Sequence, residues 1–198
     1  MSFSQYLDDF ADEWHQLVQQ TYIQNEKVIN KIYIDGVLRN TEKFEDAGGL
    51  VNNYANLKLA VDLNGEVDDV KIWNRALSSS EVLDDNNGVL VSDSLIAHYN
   101  FNEGSGVGVV DSVGDNDGVL NGDAVRIDGG IIDIGTSGYI EIKETSVMDI
   151  SLTDEYTISG RFKLSSEETA GSRYFWSDYS WMNSGFIAII FPRDQKFY

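Results

Sequence analysis

A period of two constrains this chain more than any other feature. In Tyr156-Thr-Ile-Ser-Gly-Arg-Phe-Lys-Leu164, the side chains of Tyr156, Ile158, Phe162 and Leu164 fall on one face, and Thr157, Ser159, Arg161 and Lys163 on the other. Successive side chains of an extended strand point to opposite sides, so this spacing predicts a strand with one buried face. Residues 95–101 repeat the pattern, with Leu95, Ala97, Tyr99 and Phe101 on one side and His98 on the other. Gly185-Phe-Ile-Ala-Ile-Ile-Phe191 is apolar on both faces and reads as a strand in the middle of a sandwich sheet. Lys31-Ile-Tyr-Ile-Asp-Gly-Val-Leu38 reads as a hairpin, because Asp35-Gly36 suits the positive φ of a type I′ turn.

One short helix is expected. Ser78-Ser-Ser-Glu81 has capping-box spacing, with Ser78 as N-cap and Glu81 reaching back to its amide. Leu77 and Val82 stand where a hydrophobic staple would place them, and Asn86-Asn87-Gly88 ends the helix. The 18 glycines outnumber the single proline, and ten of them lie in residues 104–138, a turn-rich stretch through which apolar residues recur.

At 198 residues the chain is long enough for one sizeable core, and two half-domains of a tandem array would total the same length. No apolar run approaches the roughly 18 residues of a membrane span. Residues 1–20 carry Asp8, Asp9, Asp12 and Glu13, which is not the pattern of a signal peptide. A net charge of −19 argues against a phosphate-binding, nucleic-acid role, which needs clustered Lys and Arg. The acidity suits solubility in a saline or extracellular medium, and some of the 33 carboxylates are candidates for holding a divalent cation. With no cysteine there is no disulfide and no thiolate site, which does not exclude secretion for a domain of this size.

Several phrases together resemble a known family. His98-Tyr-Asn-Phe-Asn-Glu-Gly-Ser-Gly106, Gly138-Tyr-Ile-Glu-Ile142 and Tyr156–Leu164 resemble the opening half of a laminin-G-like, concanavalin A-like lectin-glucanase domain. Trp14-His-Gln-Leu-Val-Gln-Gln-Thr-Tyr22, Ile29–Leu38 and Gly65-Glu-Val-Asp-Asp-Val-Lys-Ile-Trp-Asn-Arg-Ala-Leu-Ser-Ser-Ser-Glu-Val82 resemble its closing half. The resemblance implies an all-β fold, a two-sheet antiparallel jellyroll sandwich, with residues 1–88 and 89–198 as the family's halves in exchanged order. The domain is then either a circularly permuted monomer or a half-domain swapped dimer cut from an array. Reading Tyr198 into Phe3 restores the family order, with Leu83–Ser94 joining the family's own ends.

The resemblance also implies a structural calcium. Asp111-Ser-Val-Gly-Asp-Asn-Asp-Gly118 is similar to a family loop, with Asp111, Asn116 and Asp117 as the candidate ligands and Asp68 as the candidate from the other half. Hard oxygens are what Ca²⁺ requires. The competing reading is that Asp, Asn and Gly populate turns through local hydrogen bonds. Glu66 and Asp68 share a strand face and raise a glucanase-like alternative, but Val70 and Lys71 occupy the places where the acid/base carboxylate would stand. His15 and His98 have no serine or second histidine at a motif spacing, so nucleophilic triad chemistry is not expected.

Trp176, Asp178, Tyr179, Trp181 and Asn183 are the candidate ligand-binding residues. Flat apolar rings among polar groups suit stacking on sugars and bonding to their hydroxyls, although tryptophans also fill sandwich cores. Trp73 reads as structural. The expectation is a non-enzymatic carbohydrate-binding or adhesion module, extracellular or at the cell surface, stabilised by calcium, with a glycan or glycoprotein as partner. A structural spacer of a large surface protein and a degenerate glycoside hydrolase are the alternatives.

Overall fold

A computed structural model describes residues 12–45, 56–61, 63–143, 155–166 and 174–177. Strands β1 (Trp14–Gln24), β2 (Lys27–Ile34) and β3 (Val37–Glu45) form a meander. Its two turns, Asn25-Glu26 and Asp35-Gly36, have φ of 53° and 61°, and of 51° and 74°. That is the type I′ geometry whose twist matches the flanking strands. Next come β4 (Leu57–Val61), β5 (Gly65–Trp73), helix α1 (Ser79–Asn86) and β6 (Leu95–Tyr99). Short strands follow: β7 (Gly108–Val109), β8 (Gly118–Asn121), β9 (Val125–Ile127), β10 (Ile131–Asp133) and β11 (Tyr139–Ile142). The last two are β12 (Glu155–Leu164) and β13 (Tyr174–Ser177). The stretch Gly185–Phe191 lies outside the described residues.

The strands pair into two antiparallel sheets packed as a sandwich, an all-β, jellyroll-like architecture with one short helix among the described residues. The larger sheet runs β3-β2-β1-β12-β5-β10-β9, with β6 also on β5, and the smaller runs β13-β4-β11-β8-β7. Segments 1–88 and 89–198 interleave in both. In the larger sheet β12 is inserted between β1 and β5, and in the smaller β4 is inserted between β13 and β11. Each segment pairs some strands internally, but neither sheet is completed without strands of the other segment.

One irregularity organises the larger sheet. Along β5, Val67, Val70 and Ile72 lie in the core between the sheets, so the inward phase changes between residues 67 and 70. Asp69 absorbs the extra position with a φ of 52°, and β12 shifts register opposite it, between Ser159 and Arg161. An extra residue in one strand is a β-bulge, and it re-aims the side chains beyond it. The other edge of β5 divides at the same place. Glu66 and Val67 pair with β10, and Val70 to Trp73 pair with β6.

The main core fills the space between the sheets, with Ile158, Phe162, Leu164, Ile132, Ile140 and Trp176 among its members. Tyr156, Ile158, Phe162 and Leu164 all face it, as their alternation predicts. A second, smaller cluster lies on the outer face of the larger sheet beneath α1: Val18, Tyr33, Trp73, Leu77 and Val82. Leu95 joins this outer cluster instead of sharing the face of Ala97, because the ladder shifts by one residue between Ile72 and Trp73. Phe101 lies beyond β6, with φ 53°, and its buried ring joins Ala97 and Tyr99 in the main core as expected. Trp73 is structural as expected, donating its indole N–H to the Val91 carbonyl at 2.8 Å.

Helix α1 begins as its sequence dictates. The Glu81 amide donates to the Ser78 hydroxyl at 3.3 Å and the Ser78 amide donates to the Glu81 carboxylate at 2.7 Å. These reciprocal bonds satisfy two donors that a helix start leaves open. Arg75 adds an ion pair to Glu81 at 2.6 Å. That bond and the Ser78 amide hold the Glu81 carboxyl down at about 2.

Close backbone approach leaves no room for a side chain at Gly138. A Cβ on Gly138 would run into the carbonyl oxygen of Ile134 and the amide nitrogen of Ala124, which belong to the chain itself and have nowhere to move. Gly138→Ala is expected to lower the unfolding free energy by about 1–3 kcal/mol in urea titrations, by overpacking. Gly108→Ala, with open space at its Cβ position, is expected to stay within about 0.5 kcal/mol.

Candidate functional site

The loop between β7 and β8 brings Asp111, Asn116 and Asp117 together, as the sequence predicted, and its chemistry is that of a turn. Asp111 Oδ1 accepts from the amides of His98 and Val113, each at 3.0 Å. Its Oδ2 accepts from the backbone amide of Asn116 at 3.4 Å and from the Asn116 side-chain amide at 2.8 Å. The Asp111 amide in turn donates to Asp117 Oδ1 at 2.9 Å. The Tyr99 hydroxyl donates to the Asn116 carbonyl at 2.8 Å and ties the loop to the core. Burial pushes the Asp111 carboxyl up, but the surrounding amides outweigh it and hold the group below the ordinary aspartate value.

A carboxylate that already accepts four hydrogen bonds is a poor first ligand for calcium, which takes 6–8 oxygens. An ion here would draw its ligands from Asp117 and the loop carbonyls. Asp68 does not join the loop: its charged neighbours are Asp69, Arg161 and Lys71. Among the described residues, no three histidine or carboxylate side chains converge on one point.

The acidic strand β5 engages its carboxylates in the framework. Glu66 accepts from Lys163 at 3.1 Å, and Asp68 stands in register opposite Arg161. Asp69, turned outward by the bulge, meets His98 Nε2 at 2.8 Å and Lys71 Nζ at 2.5 Å. Burial raises the Asp69 carboxyl, but His98 and Lys71 outweigh it and bring the group down to about 2. Asp68 goes the other way. Burial, reinforced by the neighbouring Asp69 charge, pushes it up to about 6.

Beneath α1 these contacts continue into a buried polar network that alternation alone does not reveal. Lys71 Nζ lies 3.1 Å from Asp85 Oδ1, and Asp85 Oδ2 accepts from Gln16 Nε2 at 2.7 Å and from the Ser159 hydroxyl at 2.6 Å. Lys71 and Asp85 are 5% and 2% exposed. Gln20 donates to the Leu77 carbonyl at 2.6 Å, Thr157 bonds the Leu77 amide and the Arg75 carbonyl, and Arg161 donates to the Asn86 carbonyl at 3.0 Å. Strand alternation assigns Gln16, Lys71 and Ser159 to solvent, and α1 covers them. The available signal was the helix itself: Val82 and Asp85, three apart, lie on one helical face.

His15 is partly buried and meets Asp35 Oδ2 at 2.7 Å through Nδ1. Trp176 is a correction. It is fully buried in the core, donates its indole N–H to Gln19 Oε1 at 2.7 Å, and lies beside Phe162 and Phe175. A ring packed there is closed to stacking on a sugar. Asp178, Tyr179, Trp181 and Asn183 lie outside the described residues. Among the described residues, no helix is long and apolar enough to cross a membrane.

Comparison with known proteins adds no assignment. No family model matches the chain, and no curated protein matches it.

Two outcomes follow from this geometry. Asp85→Ala leaves the buried Lys71 without one of its two carboxylates, and is expected to cost about 3–5 kcal/mol in guanidinium titrations. Replacing Lys71 and Asp85 together by Met and Leu is expected to cost less than the two single changes summed. For Asp68, a folded-state value near 6 against 3.8 unfolded means that the folded chain holds the proton more tightly. Its contribution to stability is complete below 3.8 and is lost as pH rises through about 6. Asp68→Asn is therefore expected to melt above the parent chain at a pH higher than about 6 and to match it below 3.8, in a series of melts against pH.

Proposed function

We propose that this chain is a non-catalytic carbohydrate-binding or adhesion module of the laminin-G-like, concanavalin A-like kind, working outside the cell or at its surface. One observation carries the non-catalytic part: Glu66 and Asp69, the carboxylates that flank Asp68 on β5 where a glucanase-like site would lie, are held by Lys163, His98 and Lys71 within the framework, so Asp68 has no unengaged carboxylate beside it on that strand. A retaining hydrolase instead needs two carboxyls about 5–5.5 Å apart, one of them free to donate a proton.

The glycan part rests on Asp178, Tyr179, Trp181 and Asn183, which follow directly on β13. A second reading is a structural spacer that binds no sugar. It is favoured by the burial of Trp176 and by the self-satisfied Asp111 loop. In either reading segments 1–88 and 89–198 are the family's halves in exchanged order, closing one sandwich.

The test is a glycan screen with the chelator-stripped protein, with and without millimolar calcium. Tyr179→Ala combined with Trp181→Ala is expected to abolish any binding found while leaving the melting midpoint in place. Binding to no glycan overturns the sugar reading and leaves the spacer. Calcium at about a hundred times its Kd would add roughly 2.7 kcal/mol, or about 5–10 °C for a chain of this size. Such a rise, absent with magnesium and lost in Asp117→Ala, supports a loop-bound ion, and an unchanged midpoint removes calcium from the reading.

A further inference from the structure

At the edge opposite the β1–β3 meander, both sheets end. Strand β7 is the last of the smaller sheet and β9 the last of the larger. Arg126, in the middle of β9, reaches from one to the other. Its Nη2 donates to the Gly108 carbonyl of β7, its Nε donates to the Gly106 carbonyl at 3.2 Å, and its Nη1 donates to the Phe101 carbonyl at 2.8 Å. The same Nη1 lies 2.5 Å from Glu103 Oε2. The side chains of Arg126 and Glu103 are 8% and 17% exposed.

Three main-chain carbonyls and one carboxylate thus converge on a single positive charge, from the loop that joins β6 to β7 and from the first residue of β7. Main-chain carbonyls turned toward one another repel unless a cation or a set of donors stands between them. Two features show that the loop is bent to make this arrangement. Phe101 holds φ at 53°, a region that bulky side chains rarely adopt. Glu103 fastens the far end, where its Oε1 accepts the Val110 amide at 2.6 Å. A guanidinium suits the task because it is planar, permanently charged and presents donors in a fixed fork.

We propose that Arg126 is a tethered cation filling an oxygen-lined site in residues 101–108, holding that loop as a bound ion would and closing the edge of the sandwich. The site is built for a planar cation of the guanidinium class. It is separate from the Asp111 loop, and its occupant is part of the chain.

The decisive experiment combines Arg126→Ala with rescue. The variant is expected to melt about 5–10 °C below the parent chain, since several charge-assisted bonds are lost at once. Amide hydrogens of residues 101–110 are expected to exchange faster, with the β1–β12 ladder unchanged. Guanidinium chloride far below denaturing concentration is expected to restore part of the midpoint and slow that exchange, whereas sodium chloride at equal concentration is not. Unchanged exchange in 101–110, or guanidinium acting no better than sodium, would overturn the proposal. Should the alanine variant fail to fold, Arg126→Lys keeps the charge without the fork. A midpoint below that of the parent chain supports the site's preference for a planar cation, and a midpoint equal to that of the parent chain overturns it.

Discussion

The extra residue at Asp69 is the constraint on which most of this structure depends. Strand β5 touches β12 along one edge and both β10 and β6 along the other, and so has more partner strands than any other strand of the larger sheet. A regular strand from Glu66 to Trp73 would put Val67 and Val70 on opposite faces, with either one facing away from the main core. The bulge lets both point inward and moves Asp69 to the outer face, next to Lys71 and His98. Twist, sheet branching and the charged cover beneath α1 all trace to that one residue in a left-handed conformation.

That outer face explains how so acidic a chain keeps charges inside. A lysine taken from water without partners would cost several kcal/mol. Lys71 instead sits between two carboxylates, and Asp85 also receives an amide and a hydroxyl. The helix that delivers Asp85 is short, eight residues, and owes its place to packing and capping more than to intrinsic propensity. Leu77 and Val82 join the apolar patch while Asp85 enters the polar one, so a single helical face is held by both kinds of contact.

How much of this was legible depended on whether a rule acts over a few residues or across the fold. The strand at Tyr156–Leu164, the turn at Asp35-Gly36 and the helix start at Ser78 all follow from local geometry, and each stands where its residues place it. Gln16, Lys71 and Ser159 were illegible for the opposite reason. Their polarity says solvent, and only a helix arriving from elsewhere in the chain makes their surface an interior. Trp176 was ambiguous in the same way, because alternation fixes which residues share a face and not which face is inside. The Asp111 loop could be read as a turn or as a metal loop from the same letters, and the direction of its amides decides how its first carboxylate is used.

The interleaving of the two segments has a consequence for the order in which the molecule can be made. Strand β1 finds one partner at once in β2, but its other partner, β12, is synthesised more than a hundred residues later, with Leu17 finally opposite Gly160. Strand β4 waits in the same way for β11 and β13. A nascent chain that has completed only its first segment therefore exposes the apolar faces of β1, β4 and β5 with no sheet to bury them. Pairings so distant in sequence fold slowly, because the entropy of closing the loop is lost before any contact is gained. For this chain the vulnerable interval is birth, and its dense negative charge, which keeps unfinished copies apart, matters most before there is a fold to stabilise.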